Sequence, residues 1–252
     1  METKEAMRKW MPCAVLLCVL PALACSLPMD LGGETAELVA AGTPAEIAAE
    51  AESLTTPMAP SPAEPPPGVL LEDDFSNPGS GWQVEEYDQG RSGYGDGFYF
   101  VTSIVGGSQN WGVANRFFSD LVIDVDASQA SGPANDNNAY GVMCRVQSNG
   151  DGYTLRISGD GFYSIHKLDG GSFETLVEWT ASRSIRQGNA TNHLRAVCDG
   201  PDLALLVNGE LVAEASDATF QEGDIAFTAT TFEEASTEVH FDNLVARSPE
   251  PQ

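Results

Sequence analysis

Positive charge is scarce in this 252-residue chain, where 12 Lys and Arg stand against 37 Asp and Glu for a formal net charge of -25. Nucleic-acid binding needs clustered cations to displace counterions from phosphate, so that class of partner is excluded. The same field repels an anionic membrane surface. Apolar runs of the roughly 20 residues that cross a bilayer are also missing, as are a Gly-x-Ser-x-Gly elbow and a His-Glu-x-x-His zinc site. The three histidines, His166, His193 and His240, are dispersed and read as strand-surface positions rather than metal ligands. What remains is enough for a packed core: 42% hydrophobic residues and 8% aromatics rule out wholesale disorder.

The N-terminus reads as an export signal. Lys4, Arg8 and Lys9 precede an uncharged stretch from Trp10 to Ala24, too short to span but long enough for a secretory h-region. Pro21-Ala22-Leu23-Ala24-Cys25 follows, and it resembles the lipobox of bacterial lipoproteins, although Ala22 stands where that family prefers Leu. The resemblance implies removal of residues 1–24 and acylation of Cys25; cleavage after Ala24 without a lipid, or an uncleaved anchor, are the alternatives. All three place the remainder outside the cytoplasm; the lipobox resemblance further implies the cell envelope, with lipid as the membrane contact. Residues 25–69 carry seven acids and no Lys or Arg among Ala, Thr and Pro, ending in Pro65-Pro66-Pro67-Gly68. Such a segment buries too little apolar surface to offset its ordering entropy, so it is expected to be a disordered, solvated tether.

Residues 70–248 change character, with 249–252 left as a tail. Short apolar or alternating runs recur between turn residues, among them Leu121-Val125, Tyr140-Cys144, Tyr153-Ile157, Leu194-Cys198, Leu203-Val207 and Val239-Phe241. That spacing predicts an all-β, two-sheet antiparallel sandwich. Asn208-Gly209 between two such runs is a type I′ hairpin signal, because both central residues need positive φ. Asn149-Gly150-Asp151-Gly152, Gly159-Asp160-Gly161 and Asp169-Gly170-Gly171 mark further turns.

Asp73-Asp74-Phe75, Gly81-Trp82, Tyr140-Gly141-Val142-Met143-Cys144-Arg145, Gly188 to Arg195, Leu206-Val207-Asn208-Gly209 and Phe241-Asp242-Asn243-Leu244 together resemble the concanavalin A-like, laminin G-like jelly rolls of bacterial exported proteins. The superfamily includes 3-keto-disaccharide hydrolase-like domains and family 16 glycoside hydrolases. The resemblance implies a jelly roll, and little about function, since lectins, enzymes and spacers share it.

Cys144 and Cys198 are the thiols left once the leader and Cys25 are set aside. Period-two counting puts both on the apolar face of their strands, and an oxidising compartment favours a disulfide over two separate buried thiols. Related domains often carry such a pair. In jelly rolls the first and last strands adjoin, so Asp73 or Asp74 is expected to approach Asp242, and related sandwiches hold a structural calcium there. The Glu-x-Asp-x-x-Glu strand of family 16 is missing, so no catalytic residue is assigned. With the cysteine face buried, Arg145, Arg156 and Arg195 are expected to face outward and, with Tyr163, His166 and Trp179, to form a polar-aromatic surface for sugar rings and hydroxyls. Trp82 and Trp111 read as core. The function implied is a non-catalytic module recognising a carbohydrate or an extracellular protein; the alternatives are a hydrolase of the 3-keto-disaccharide type and a structural envelope protein.

Overall fold

A computed structural model describes residues 68–233 and 235–249, so the leader, Cys25 and the tether lie outside the described residues. Among those described, the regular structure is strand throughout. In chain order the strands are β1 (Val69–Asp73), β2 (Glu85–Tyr87), β3 (Gly90–Tyr94), β4 (Tyr99–Ser103), β5 (Gln109–Phe118), β6 (Leu121–Ser131), β7 (Asn138–Val146) and β8 (Gly152–Ile157). They continue as β9 (Phe162–Asp169), β10 (Ser172–Ala181), β11 (Asn192–Asp199), β12 (Asp202–Val207), β13 (Glu210–Ser216), β14 (Gly223–Thr231) and β15 (Thr237–Arg247).

Two antiparallel sheets result. The larger has nine strands in the order β13-β12-β11-β6-β15-β4-β3-β2, with β1 paired to the C-terminal half of β15; the smaller has six, in the order β10-β9-β8-β7-β14-β5. Neighbours in these orders that are distant in sequence, such as β14 between β5 and β7, are the crossovers of a jelly roll. The β12–β13 hairpin turns on Asn208 and Gly209, at φ 52° and 87°, the pair of positive values that the sequence called for.

The alternating apolar residues of both sheets meet in one core. Ile123, Val125 and Phe241 of the larger sheet face Tyr140, Leu155 and Phe227 of the smaller, all buried. Trp82, Phe227 and Phe241 stack in series across the layers, with centroids 4.6 Å and 4.3 Å apart and planes within 8° and 6°. Each such fully buried ring contributes about 1.5–3 kcal/mol relative to an exposed one. Beside this stack Cys144 of β7 is bonded to Cys198 of β11, so the disulfide ties one sheet to the other.

Candidate functional site

The strand that shapes the candidate site carries no apolar run. Along β5 the side chains alternate: Asn110, Gly112 and Ala114 turn inward, while Gln109, Trp111 and Val113 lie on the outer face of the six-stranded sheet. The inward set is small for a reason, since a Cβ at Gly112 would collide with the hydroxyl of Tyr99, which donates to the Gln83 carbonyl at 2.5 Å. The largest side chain of β5 is thereby placed outside. Trp111 is half-buried rather than core, unlike Trp82, and its ring lies over Gly150 in the β7–β8 turn. A Cβ at Gly150, whose φ is +89°, would meet the Trp111 ring at 2.6 Å, so the turn must be bare there for the ring to lie down.

Around Trp111 opens a cleft of about 910 Å³, bordered by the β2–β3 turn on one side and the β7–β8 turn on the other. The volume falls in the usual range of small-ligand sites. Its lining is carboxamide-rich, with Gln83, Gln89, Gln109, Asn115, Gln147 and Asn149, alongside the rings of Tyr87, Trp111 and Phe117. Two carboxylates also line it. Asp88 is exposed, and Asp224 is 6% exposed, its Oδ1 accepting the amides of Arg116 at 3.1 Å and Ile225 at 2.8 Å. Burial pushes Asp224 above the usual aspartate range, and the backbone amides of the bulge between β14 and β5 hold the carboxylate in place.

Gln109 connects the cleft to a buried arginine. Its Oε1 accepts a hydrogen bond from Arg156 Nη1 at 2.7 Å, while Arg156 Nη2 donates to His166 Nδ1 at 3.2 Å. A guanidinium only donates, so Nδ1 accepts and the His166 proton sits on Nε2. Burial, with Arg156 adding to it, depresses His166 to about 3, so the ring is neutral at physiological pH. Phe173 and Trp179 of β10 flank the guanidinium, its Cζ 5.5 Å and 5.6 Å from their centroids, and Phe232 meets Trp179 edge-on at 6.0 Å.

Of the six residues expected on a binding surface, Arg156, His166 and Trp179 thus come together on this face. The other three do not. Arg195 lies on the opposite sheet, where its Nε donates to Asp124 at 2.7 Å. Tyr163 packs against the core. Arg145 is 1% exposed and clamps the carbonyls of Ser119, Gly200 and Phe220 at 3.1, 2.7 and 2.9 Å, with Asp120 at 2.9 Å. The outward placement of Arg145 is corrected by a bulge: the β7–β14 register slips between Met143 and Val146, Arg145 sits at φ 54°, and strict alternation ends there.

The first and last strands do adjoin, with Asp73 opposite Leu244. Their acids nevertheless serve separate turns. Asp73 accepts from the Phe75 amide and the Ser80 hydroxyl, Asp74 from the amide and hydroxyl of Ser76, and Asp242 from the Asn243 amide, while Asp126 is its cross-strand neighbour. Among the described residues no three acids, histidines or cysteines converge there.

No protein-family model matches the chain, and no curated protein does. Solved structures do. A β-glucanase from Bacillus licheniformis superposes with a TM-score of 0.54 at 11% identity, over 73% of this chain and 99% of that one. The fold is a concanavalin A-like, galectin-like jelly roll. A prokaryotic β-1,3-1,4-glucanase (lichenase) derived from a mouse hindgut metagenome matches at 0.55 and 12% identity over 71% and 98% of the two chains. A protein of unknown function with a galectin-like fold from Bacillus subtilis matches at 0.54 and 12% over 72% and 96%. At such identities the jelly roll is common to all of them and the sites are each chain's own.

Proposed function

We propose that this jelly roll is a glycan-binding module that holds its ligand without cleaving it, carried outside the cell on an acidic tether and anchored through lipid on Cys25. The cleft around Trp111 carries the reading. A half-buried indole beside carboxamides offers a flat apolar face to a sugar ring and both donors and acceptors to its hydroxyls. The non-catalytic half rests on the cleft's carboxylates. Asp224 is engaged by backbone amides of its bulge, which leaves exposed Asp88 without an acid of matched role beside it. That jelly rolls of similar shape include glucanases agrees with a glycan partner by analogy of fold. Export rests on the basic leader and its h-region, and anchoring on the small residues before Cys25.

Affinity electrophoresis through gels containing mixed-linkage β-glucan tests the reading. The protein should be retarded, Trp111→Ala should lose about tenfold in affinity, roughly 1.4 kcal/mol, and no reducing ends should appear. Retardation that survives Trp111→Ala unchanged would remove the cleft from the account, and release of oligosaccharides would replace binding with hydrolysis.

A further inference from the structure

Arg156 is a buried charge without a counter-charge. It is 4% exposed, and no carboxylate lies within ion-pair distance of it among the described residues. Its fork is met instead by two neutral acceptors, the Gln109 carboxamide and the His166 imidazole, and Nε is buried with no hydrogen-bond partner at all. Removing a cation from water costs several kcal/mol unless it is paired. Burial draws Arg156 down to about 10, which still leaves it charged at neutral pH. Nothing in packing requires that cost, because an apolar side chain of similar length would fill the space between Phe173 and Trp179.

The cover over this charge is poorly held. Gln109 donates its Nε2 to the thioether of Met143 at 3.7 Å, a weak acceptor, and is itself half-buried at the wall of the cleft. Two further polar atoms are buried and unpartnered on the same sheet face: Ser164 Oγ, on the residue paired across the strands with Arg156, and Thr230 Oγ1, on the residue paired with Gln109. Arg156 and His166 therefore mark one spot behind the Gln109 wall of the Trp111 cleft, with Ser164 on one flank and Thr230, two strands farther across the sheet, on the other, and Arg156 Nε and both hydroxyls have hydrogen-bonding capacity unused.

We propose that this spot takes the carboxylate of an acidic sugar residue, which displaces the Gln109 carboxamide and pairs with Arg156 through its fork. The inference rests on the glycan-binding reading and names its substrate class. A carboxylate matches the planar fork in two parallel hydrogen bonds where the amide oxygen gives one. The ligand is one acidic residue in an otherwise neutral glycan rather than a polyanion. Residues 71–252 carry 28 acids against 9 bases, a net of -19, and their field repels extended negative charge, whereas a single carboxylate against Arg156 is governed by the contact.

The test is isothermal titration calorimetry of the full chain, in about 0.15 M salt where the Debye length is about 8 Å, with three probes: a neutral xylo-oligosaccharide bearing a single glucuronic acid, its methyl ester and a neutral mixed-linkage glucan oligosaccharide. The acid should bind at least about tenfold tighter than the ester, from which it differs only in masked charge. Gln109→Glu supplies an internal carboxylate to Arg156, so it should abolish that preference and raise the melting temperature; Gln109→Ala should keep or increase the preference. Both changes are at a half-buried position, so loss of the fold does not confuse the result. Equal affinity for acid and ester, with the glucan also bound, would overturn the carboxylate site and leave glycan binding standing. Failure of all three probes would take down both, and a preference that persists in Gln109→Glu would move the anion away from Arg156.

Discussion

Two ends of the six-stranded sheet treat buried cations in opposite ways. At one, Cys144 and Arg145 sit side by side on β7: the first is covalently tied to the other sheet, and the second meets three carbonyls and a carboxylate. Nearby Lys167 of β9 pairs with Asp217 and Glu174, each at 2.9 Å. On the outer face, Arg156 has neutral acceptors and a bare Nε under aromatic rings. The difference separates a charge that holds the fold from one that the fold must carry. Arg145 completes hydrogen bonds that nothing else would make, while Arg156 leaves some of its own unmade.

The largest expected effect belongs to the anchored end. Cys144 and Cys198 are 54 residues apart, and closing a loop of that length stabilises by about 4 kcal/mol on the chain-entropy account. The double variant Cys144→Ala/Cys198→Ala should therefore melt roughly 10 °C lower, at about 2–4 °C per kcal/mol for a domain of this size. An unchanged melting temperature would show that the sheets hold their registration without the tie.

Next comes the paired contrast. Arg145→Met strips partners from the carbonyls of Ser119, Gly200 and Phe220 and from Asp120, at a cost of about 3 kcal/mol. Arg156→Met removes an uncompensated buried charge and keeps the apolar fill, so its stability should change by less than about 1 kcal/mol or improve. Chemical denaturation of the two variants side by side measures this. Equal losses would erase the distinction and make Arg156 a structural residue like Arg145.

Much of this architecture is visible in the residues. Leu121-Val125, Tyr153-Ile157 and Leu203-Val207 are apolar at every second position, and each is a strand with that apolar set inside. The same period-two logic correctly set Arg156 opposite to Tyr153, Leu155 and Ile157. It failed at Arg145, because a bulge adds one residue to β7 and turns the side chain inward, and neighbouring residues give no local sign of a bulge set by β14. It also passed over β5, β10 and the short β2 and β3. In β5 the inward face is Asn110, Gly112 and Ala114, so the strand shows no apolar rhythm and its tryptophan reads as core. In β10 most side chains are exposed. The cleft was illegible for that reason: its floor is β5 and its walls are the turns after β2 and β7, elements joined by pairing across the fold rather than by spacing along the chain. One signal was available. Gln109 and Trp111 share a face by simple alternation, as a polar-aromatic platform would.

The smallest expected effect tests the same contrast from the side of the acids. Asp217 is held below the usual aspartate range: burial opposes ionisation, but hydrogen bonds from Tyr153, Thr219 and Lys167 outweigh it. Lys167 is correspondingly raised, first by its hydrogen bond to Asp217. A carboxylate depressed in the folded state contributes stability that is present above its ordinary value of 3.8 and is lost as pH falls through the folded value. The raised lysine contributes below its ordinary value of 10.5, so it adds no loss on the acid side. Asp217→Asn keeps an acceptor for Tyr153 and removes the charge opposite Lys167, and should cost about 1 kcal/mol at pH 7. The gap between the two proteins should hold from neutral pH to about pH 4 and narrow below it as the wild-type carboxylate protonates. A gap that stays constant into strong acid would mean that Asp217 acts by shape alone, and Lys167 would then tolerate burial beside a neutral acceptor, as Arg156 does.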